Sequence, residues 1–204
     1  MKDLKTRIAV FLDRDGTINE DVGDLYKVEK LKFISGAVDA LKLLQEQFLL
    51  FIITNQAGIG KGNFTESEFL KFNKQYIDIL NKEGIKIEEL FYCPHSENDN
   101  CICRKPNTYF IDIARKKYNL NLKKSFIVGD HPSDVELGSK TGMKSIFLLT
   151  GHGSKHLHEI KNNRKYLISE NIYDAALLIL KLSSKLYRQE LIHSVRLQIR
   201  YRLL

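Results

Sequence analysis

Long apolar runs are missing from this 204-residue chain: none approaches the ~20 residues that cross a bilayer, and the opening Met1-Lys2-Asp3-Leu4-Lys5-Thr6-Arg7 lacks the apolar region of a secretory signal. No membrane span is expected, and the expected location is cytoplasmic. Cysteine is scarce as well. Three residues cannot pair completely, so the disulfide framework of a small secreted domain does not fit. Repeats and low-complexity tracts are also lacking. The remainder is ordinary globular composition, 43% hydrophobic and 28% charged, sufficient for one sizeable core or a core with an appendage.

The formal net charge is +7, yet most of it sits at the end, where Lys181, Lys185, Arg188, Arg196, Arg200 and Arg202 face only Glu190. Charge concentrated in one segment describes a local surface and says little about the substrate of the main domain. Helical spacing of Leu178, Leu182, Leu186, Ile192, Val195 and Ile199 suggests an amphipathic helix there, packing on the domain or on a second subunit. A membrane-surface or nucleic-acid helix is the weaker reading of the same pattern.

Strand-length apolar runs recur at Ile8–Leu12, Phe48–Thr54, Ile87–Tyr92, Ser125–Val128 and Lys144–Leu149. Helical spacing separates them, as at Val38, Leu41 and Leu44, or at Phe69, Phe72, Tyr76 and Ile79. Alternation of this kind predicts an α/β fold, a Rossmann-like parallel sheet with helices on both faces. Thr65 and Glu68 form a capping-box pattern for one helix, and Gly142 is placed to end another. After Leu149 the pattern loosens. Residues 1–150 are therefore assigned to the core, and 151–204 to a mostly helical C-terminal extension.

Three of the strands, and one loop, run into residues able to do chemistry. The first ends in Asp13-Arg14-Asp15-Gly16-Thr17, two carboxylates one residue apart, which reads either as a polar turn or as a pair of acids at the ligand-binding edge of a sheet. The second ends in Thr54-Asn55-Gln56, a hydroxyl and amides suited to a phosphoryl oxygen. Arg104-Lys105-Pro106 sets a planar fork beside a point charge, with Pro106 expected in the first turn of the helix that follows. Gly129-Asp130 ends another strand, with His131 and a helix-opening Asp134 behind it.

All three cysteines fall in Cys93-Pro94-His95 and Cys101-Ile102-Cys103, a Cys-x-His and a Cys-x-Cys separated by five residues. Three thiolates and an imidazole make a closed tetrahedral zinc site. With no open position, that zinc would be structural. Its task would be to order the loop 93–103 and so to place Arg104 and Lys105, which directly follow Cys103.

Taken in order, Asp13-Arg14-Asp15-Gly16-Thr17, Thr54-Asn55-Gln56, Arg104-Lys105-Pro106 and Gly129-Asp130 resemble the four motifs of haloacid dehalogenase-type phosphatases over about residues 7–150. The cysteine-histidine insertion resembles the branch that holds the heptose-bisphosphate and histidinol phosphatases, and residues 54–65 are more similar to the heptose enzymes. His131, where those enzymes carry Lys, and the short gap before Cys101 depart from that pattern.

The resemblance implies a capless fold whose loops, residues 19–24 and 93–103, shape the site. It implies Asp13 as nucleophile, Asp15 as acid/base, and Thr54 and Lys105 as stabilisers of the transferred phosphoryl group. Mg²⁺ would be held by Asp13, the Asp15 backbone carbonyl and Asp130, with Asp134 behind them. Asn55, Gln56, Arg104, Asp21, Asp24 and His131 would contact a small phosphorylated sugar. A nucleic-acid role for the zinc loop is the competing class, weakened because the tail charges lie far from that loop in sequence.

Overall fold

The computed structural model describes residues 6–160 and 166–184. Six parallel strands form one sheet: β1 (Ala9–Leu12), β2 (Leu49–Asn55), β3 (Glu89–Cys93), β4 (Phe126–Gly129), β5 (Lys144–Leu148) and β6 (Tyr166–Ser169), in the spatial order β3-β2-β1-β4-β5-β6. The order reverses between β1 and β4. At such a switch point the loops leaving the two strands diverge to opposite sides and open a crevice at the carboxyl edge.

Side chains of successive strand residues point to opposite faces, and the core divides accordingly. Val10, Leu12, Leu50, Ile52, Phe126 and Val128 pack on one side against α1 (Ala37–Gln45), α3 (Glu66–Lys82) and the final helix, α7, over residues 172–184. Ala9, Phe11, Phe51, Ile53 and Ile127 face the other way, onto α4 (Tyr109–Tyr118) and α5 (Pro132–Thr141). Between β2 and α3 lies the single turn α2 (Ala57–Gly60), and α6 (Gly153–Ile160) follows β5.

Local signals do what their chemistry requires. Thr65 and Glu68 close a reciprocal capping box at the start of α3, satisfying two N–H groups that the helix cannot pair itself. Gly142 ends α5 in the left-handed region at φ 74°, open to glycine without strain.

One expectation is corrected. Pro106 is not in the first turn of a helix: it follows a cis bond from Lys105, and α4 begins only at Tyr109. The described part of the segment beyond 150 carries a strand besides its helices. β6 pairs with β5, and Ile172, Ala175, Ala176 and Ile179 of α7 are fully buried in the main core. Tyr166-Leu167-Ile168-Ser169 is too short for its period to declare a strand, and pairing with β5 decides it. The basic residues from Lys185 onward, and the apolar positions from Leu186, lie outside the described residues.

Candidate active site

β1, β2 and β4 deliver their terminal residues to one cleft of about 620 Å³ at the carboxyl edge of the sheet. Asp13 follows β1 directly, its backbone N–H still on the Val128 carbonyl at 2.9 Å. Lys105 Nζ lies 2.6 Å from Asp13 Oδ1 and 2.7 Å from Asp134 Oδ1, and all three side chains are largely buried. Asp134 is thus committed at both oxygens, since Oδ2 accepts the His131 N–H at the start of α5. Asp130 completes the group: carboxylate oxygens of Asp13, Asp130 and Asp134 lie within 4.8 Å of one another.

Three buried carboxylates against one lysine leave excess negative charge. Burial pushes Asp13 up to about 7, partly offset by Lys105 and reinforced by Asp134, and burial together with the Asp13 charge pushes Asp130 up to about 8. Lys105 is held above its ordinary range because Asp13 and Asp134 overcome the opposing effect of its own burial. An oxygen-lined, charge-rich cluster of this kind fits a hard divalent cation such as Mg²⁺.

A pH test follows. Asp13 and Asp130 ionise at higher pH when folded than when unfolded, so without a cation the folded chain retains protons that the unfolded chain sheds. Stability present near pH 4 is then expected to fall as pH rises through about 7 and 8. Added Mg²⁺ binds the ionised pair, so its gain in Tm should grow from about pH 5.5 to about pH 8.5. A gain independent of pH would contradict this electrostatic account.

Thr54 and Gln56 sit at the end of β2. Gln56 Nε2 donates to Thr54 Oγ1 at 2.8 Å and to Asp15 Oδ2 at 2.9 Å, leaving the Thr54 proton free to turn toward a ligand oxygen. The Asn55 amide accepts the Lys105 N–H at 3.0 Å and donates to the Lys105 carbonyl at 3.3 Å. Asn55 therefore holds the backbone that carries the lysine, and Gln56 steadies Asp15.

Beside them, the thiols of Cys93, Cys101 and Cys103 and the ring of His95 converge. Sulfur atoms are 3.0, 3.5 and 3.8 Å apart, and His95 Nδ1 is 3.3 Å from Cys103 Sγ and 3.6 Å from Cys93 Sγ. Such spacings approximate the edges of a tetrahedron with bonds of about 2.0–2.3 Å, and no disulfide is formed. The donor set fits zinc. From this loop the His95 carbonyl accepts Arg104 Nη1 at 3.3 Å, so the loop orients the guanidinium as well as the chain.

Some contributors carried no signal in the sequence. Glu97 bridges Lys61 (2.8 Å) and Arg104 (3.0 Å) on one rim of the cleft. On the other rim His152 Nε2 meets Asp21 Oδ2 at 2.9 Å, while its backbone N–H donates to Asp130 Oδ2 at 2.7 Å. Thr150 Oγ1 donates to the Gly16 carbonyl at 2.7 Å. Asp130 is so tightly enclosed that a Cβ on Gly16 or Gly151, both at positive φ, would collide with its carboxylate. Asp24 accepts from Asn63 at 2.7 Å, and His131, lowered by burial, lines the cleft beside Ser133. The run Thr150-Gly151-His152 carries no periodic signal, and its partners Gly16 and Asp130 lie far away in sequence.

Comparison with known proteins agrees with this geometry. The chain is 37% identical over 183 residues to the D-glycero-alpha-D-manno-heptose-1,7-bisphosphate 7-phosphatase of Photorhabdus laumondii, covering 84% of this chain and all of that protein. A family model described as HAD-hydrolase-like matches residues 102–175. This chain belongs to the HAD-like hydrolases.

Among solved structures, this HAD-like hydrolase resembles the D,D-heptose 1,7-bisphosphate phosphatase from B. bronchiseptica complexed with magnesium and phosphate. The TM-score is 0.78 at 26% identity, over 85% of this chain and 98% of that one. It is also 34% identical over 157 residues to the histidine biosynthesis bifunctional protein HisB of Campylobacter jejuni subsp. doylei, covering 75% of this chain but 44% of that protein. The HAD-like chain thus aligns along the full length of a heptose phosphatase and with less than half of HisB.

Proposed function

We propose that this chain is a Mg²⁺-dependent phosphatase acting on a small sugar phosphate, D-glycero-D-manno-heptose 1,7-bisphosphate at its 7-phosphate. The observation that carries the reading is the convergence of Asp13, Lys105, Asp130 and Thr54 on one cleft, in a chain of which 84% aligns with the whole of a heptose-bisphosphate phosphatase. A cleft of about 620 Å³ is of the size that encloses such a ligand.

Asp13 attacks phosphorus in line with the departing sugar oxygen, and Asp15 hands that oxygen its proton as the P–O bond breaks. Water, deprotonated by Asp15, then cleaves the aspartyl phosphate and frees Asp13. Lys105 and the Thr54 hydroxyl face the charge that gathers on the equatorial oxygens, where fixed donors lower the barrier most. Asp13, Asp130 and the Asp15 carbonyl would hold Mg²⁺, which would supply further positive charge to the phosphoryl group. Arg104, His131, Asp21 and Asp24 ring the mouth and contact the sugar and its distal phosphate. Cys93, His95, Cys101 and Cys103 would hold zinc, which would keep Arg104 and Lys105 in place.

Free thiols and a thiolate metal site suit a reducing compartment, which supports a cytoplasmic location. No described helix is long and apolar enough to cross a membrane.

Histidinol phosphate is the second reading, favoured by the short gap between His95 and Cys101. A phosphate-release panel decides: both anomers of heptose 1,7-bisphosphate, histidinol phosphate and common hexose phosphates, each with Mg²⁺. The expected result is a kcat/KM for a heptose bisphosphate at least about 10-fold above every other compound, a difference of ~1.4 kcal/mol in transition-state binding. Preference for histidinol phosphate would replace the substrate assignment, and no phosphate release from any ester would end the phosphatase reading.

A further inference from the structure

Arg14 stands between the two motif acids and is fully buried, an unusual place for a guanidinium. Its Nε lies 3.1 and 3.2 Å from the two Asp15 oxygens, and Nη2 is 2.8 Å from Oδ2. The far side of the fork is anchored too. Nη1 donates to Asn73 Oδ1 of α3 and Nη2 to the Leu25 carbonyl, each at 3.3 Å. Rings of Phe69, Phe72 and Tyr76 enclose the cation, with centroids 5.3, 5.1 and 6.0 Å from its central carbon.

Asp15 receives two further donors, Asn19 Nδ2 on Oδ1 at 2.8 Å and Gln56 Nε2 on Oδ2 at 2.9 Å. Each oxygen is thus met from two directions, and the plane of the carboxyl group has no freedom to turn. A lysine at position 14 could keep the charge but would present a single point where the arginine presents a fork. α3 otherwise contributes nothing to the cleft, so its anchoring of Arg14 through Asn73 and three aromatic rings calls for a purpose beyond packing.

We propose that Arg14 is a positioning residue, which fixes the orientation of Asp15 so that its carboxyl group meets the departing ester oxygen. The inference rests on the phosphatase reading above. Its signature is dependence on the leaving group. A sugar alkoxide cannot depart without a proton, whereas p-nitrophenolate departs unaided, so misorienting Asp15 slows formation of the aspartyl phosphate from the first ester only, while hydrolysis of that intermediate, with Asp15 as base, is common to both.

The test compares wild type and Arg14→Lys, both loaded with Mg²⁺, on the best sugar phosphate of the panel and on p-nitrophenyl phosphate. For Arg14→Lys, kcat/KM, which reports the steps up to departure of the leaving group, is expected to fall about 100-fold on the sugar phosphate, the lower end of what positioned proton transfer supplies, and less than about threefold on p-nitrophenyl phosphate. Parallel loss on both esters would mean a structural role, and no loss on either would mean no role; each overturns the proposal. Should Arg14→Lys fail to fold by circular dichroism, Asn73→Ala loosens the same fork from its far end. It is expected to show the same selective loss at about three- to tenfold, and a parallel or absent loss there likewise overturns the proposal. A wild-type protein silent on both esters would instead remove the phosphatase reading itself.

Discussion

Asp13→Asn is expected to abolish phosphate release, by about 10⁴-fold or more in kcat, while the protein folds as well as wild type or better. Asparagine matches aspartate in shape but is not a competent nucleophile here, and loss of a nucleophile removes a step that no neighbour can perform. Stability moves the other way. Asp13 is buried and pushed up to about 7, so its charged form strains the site at higher pH. Removing that charge leaves Lys105 its partner Asp134 at 2.7 Å and lessens the repulsion felt by Asp130. Metal-free Asp13→Asn should therefore melt no lower than wild type at about pH 8, by calorimetry, even as release of inorganic phosphate disappears. Wild-type turnover by the purified variant would take Asp13 out of the nucleophile role. Such opposition between activity and stability is characteristic of crowded charges kept for chemistry.

Loss of the zinc site should also be damaging, although no zinc ligand touches the reacting group. Cys103→Ser, or prolonged chelation, is expected to remove stoichiometric zinc by elemental analysis and to lower kcat/KM on the order of 100-fold. A displacement of about 1 Å in a group that must meet the transition state costs this much. The link is short. Cys103 precedes Arg104, the His95 carbonyl binds the Arg104 guanidinium, and Lys105 follows with its ammonium 2.6 Å from Asp13. Asn55 clamps the Lys105 backbone from β2 and should preserve part of the activity, so the loss should be smaller than for Asp13→Asn. Zinc-free protein with unchanged kinetics would show that Asn55 alone suffices.

Much of the site was legible because its chemistry sits in contiguous runs. Asp13 and Asp15, Thr54, Arg104 and Lys105, and Asp130 each follow an apolar strand or a metal-binding pair, and a parallel sheet necessarily brings such ends to one edge. The zinc ligands were legible for another reason: three cysteines and one histidine within eleven residues leave few other structures open to them. Asn55 and Gln56 show the limit. Their types suit a ligand, but their amides are occupied by Lys105 and Asp15.

What the sequence determined by itself is the set of candidate site residues and its order, since strand periodicity and local spacing are properties of neighbours along the chain. Tertiary structure alone decided the fork of Arg14 on Asp15 anchored by Asn73, the bridge of Glu97 between Lys61 and Arg104, the closure of Gly151 and His152 over Asp130, and the sixth strand. Each joins residues from separate elements, through a side-chain direction or a strand pairing that exists only once the sheet has formed. A short polar loop has no period to read, and only its distant partners give it a structure.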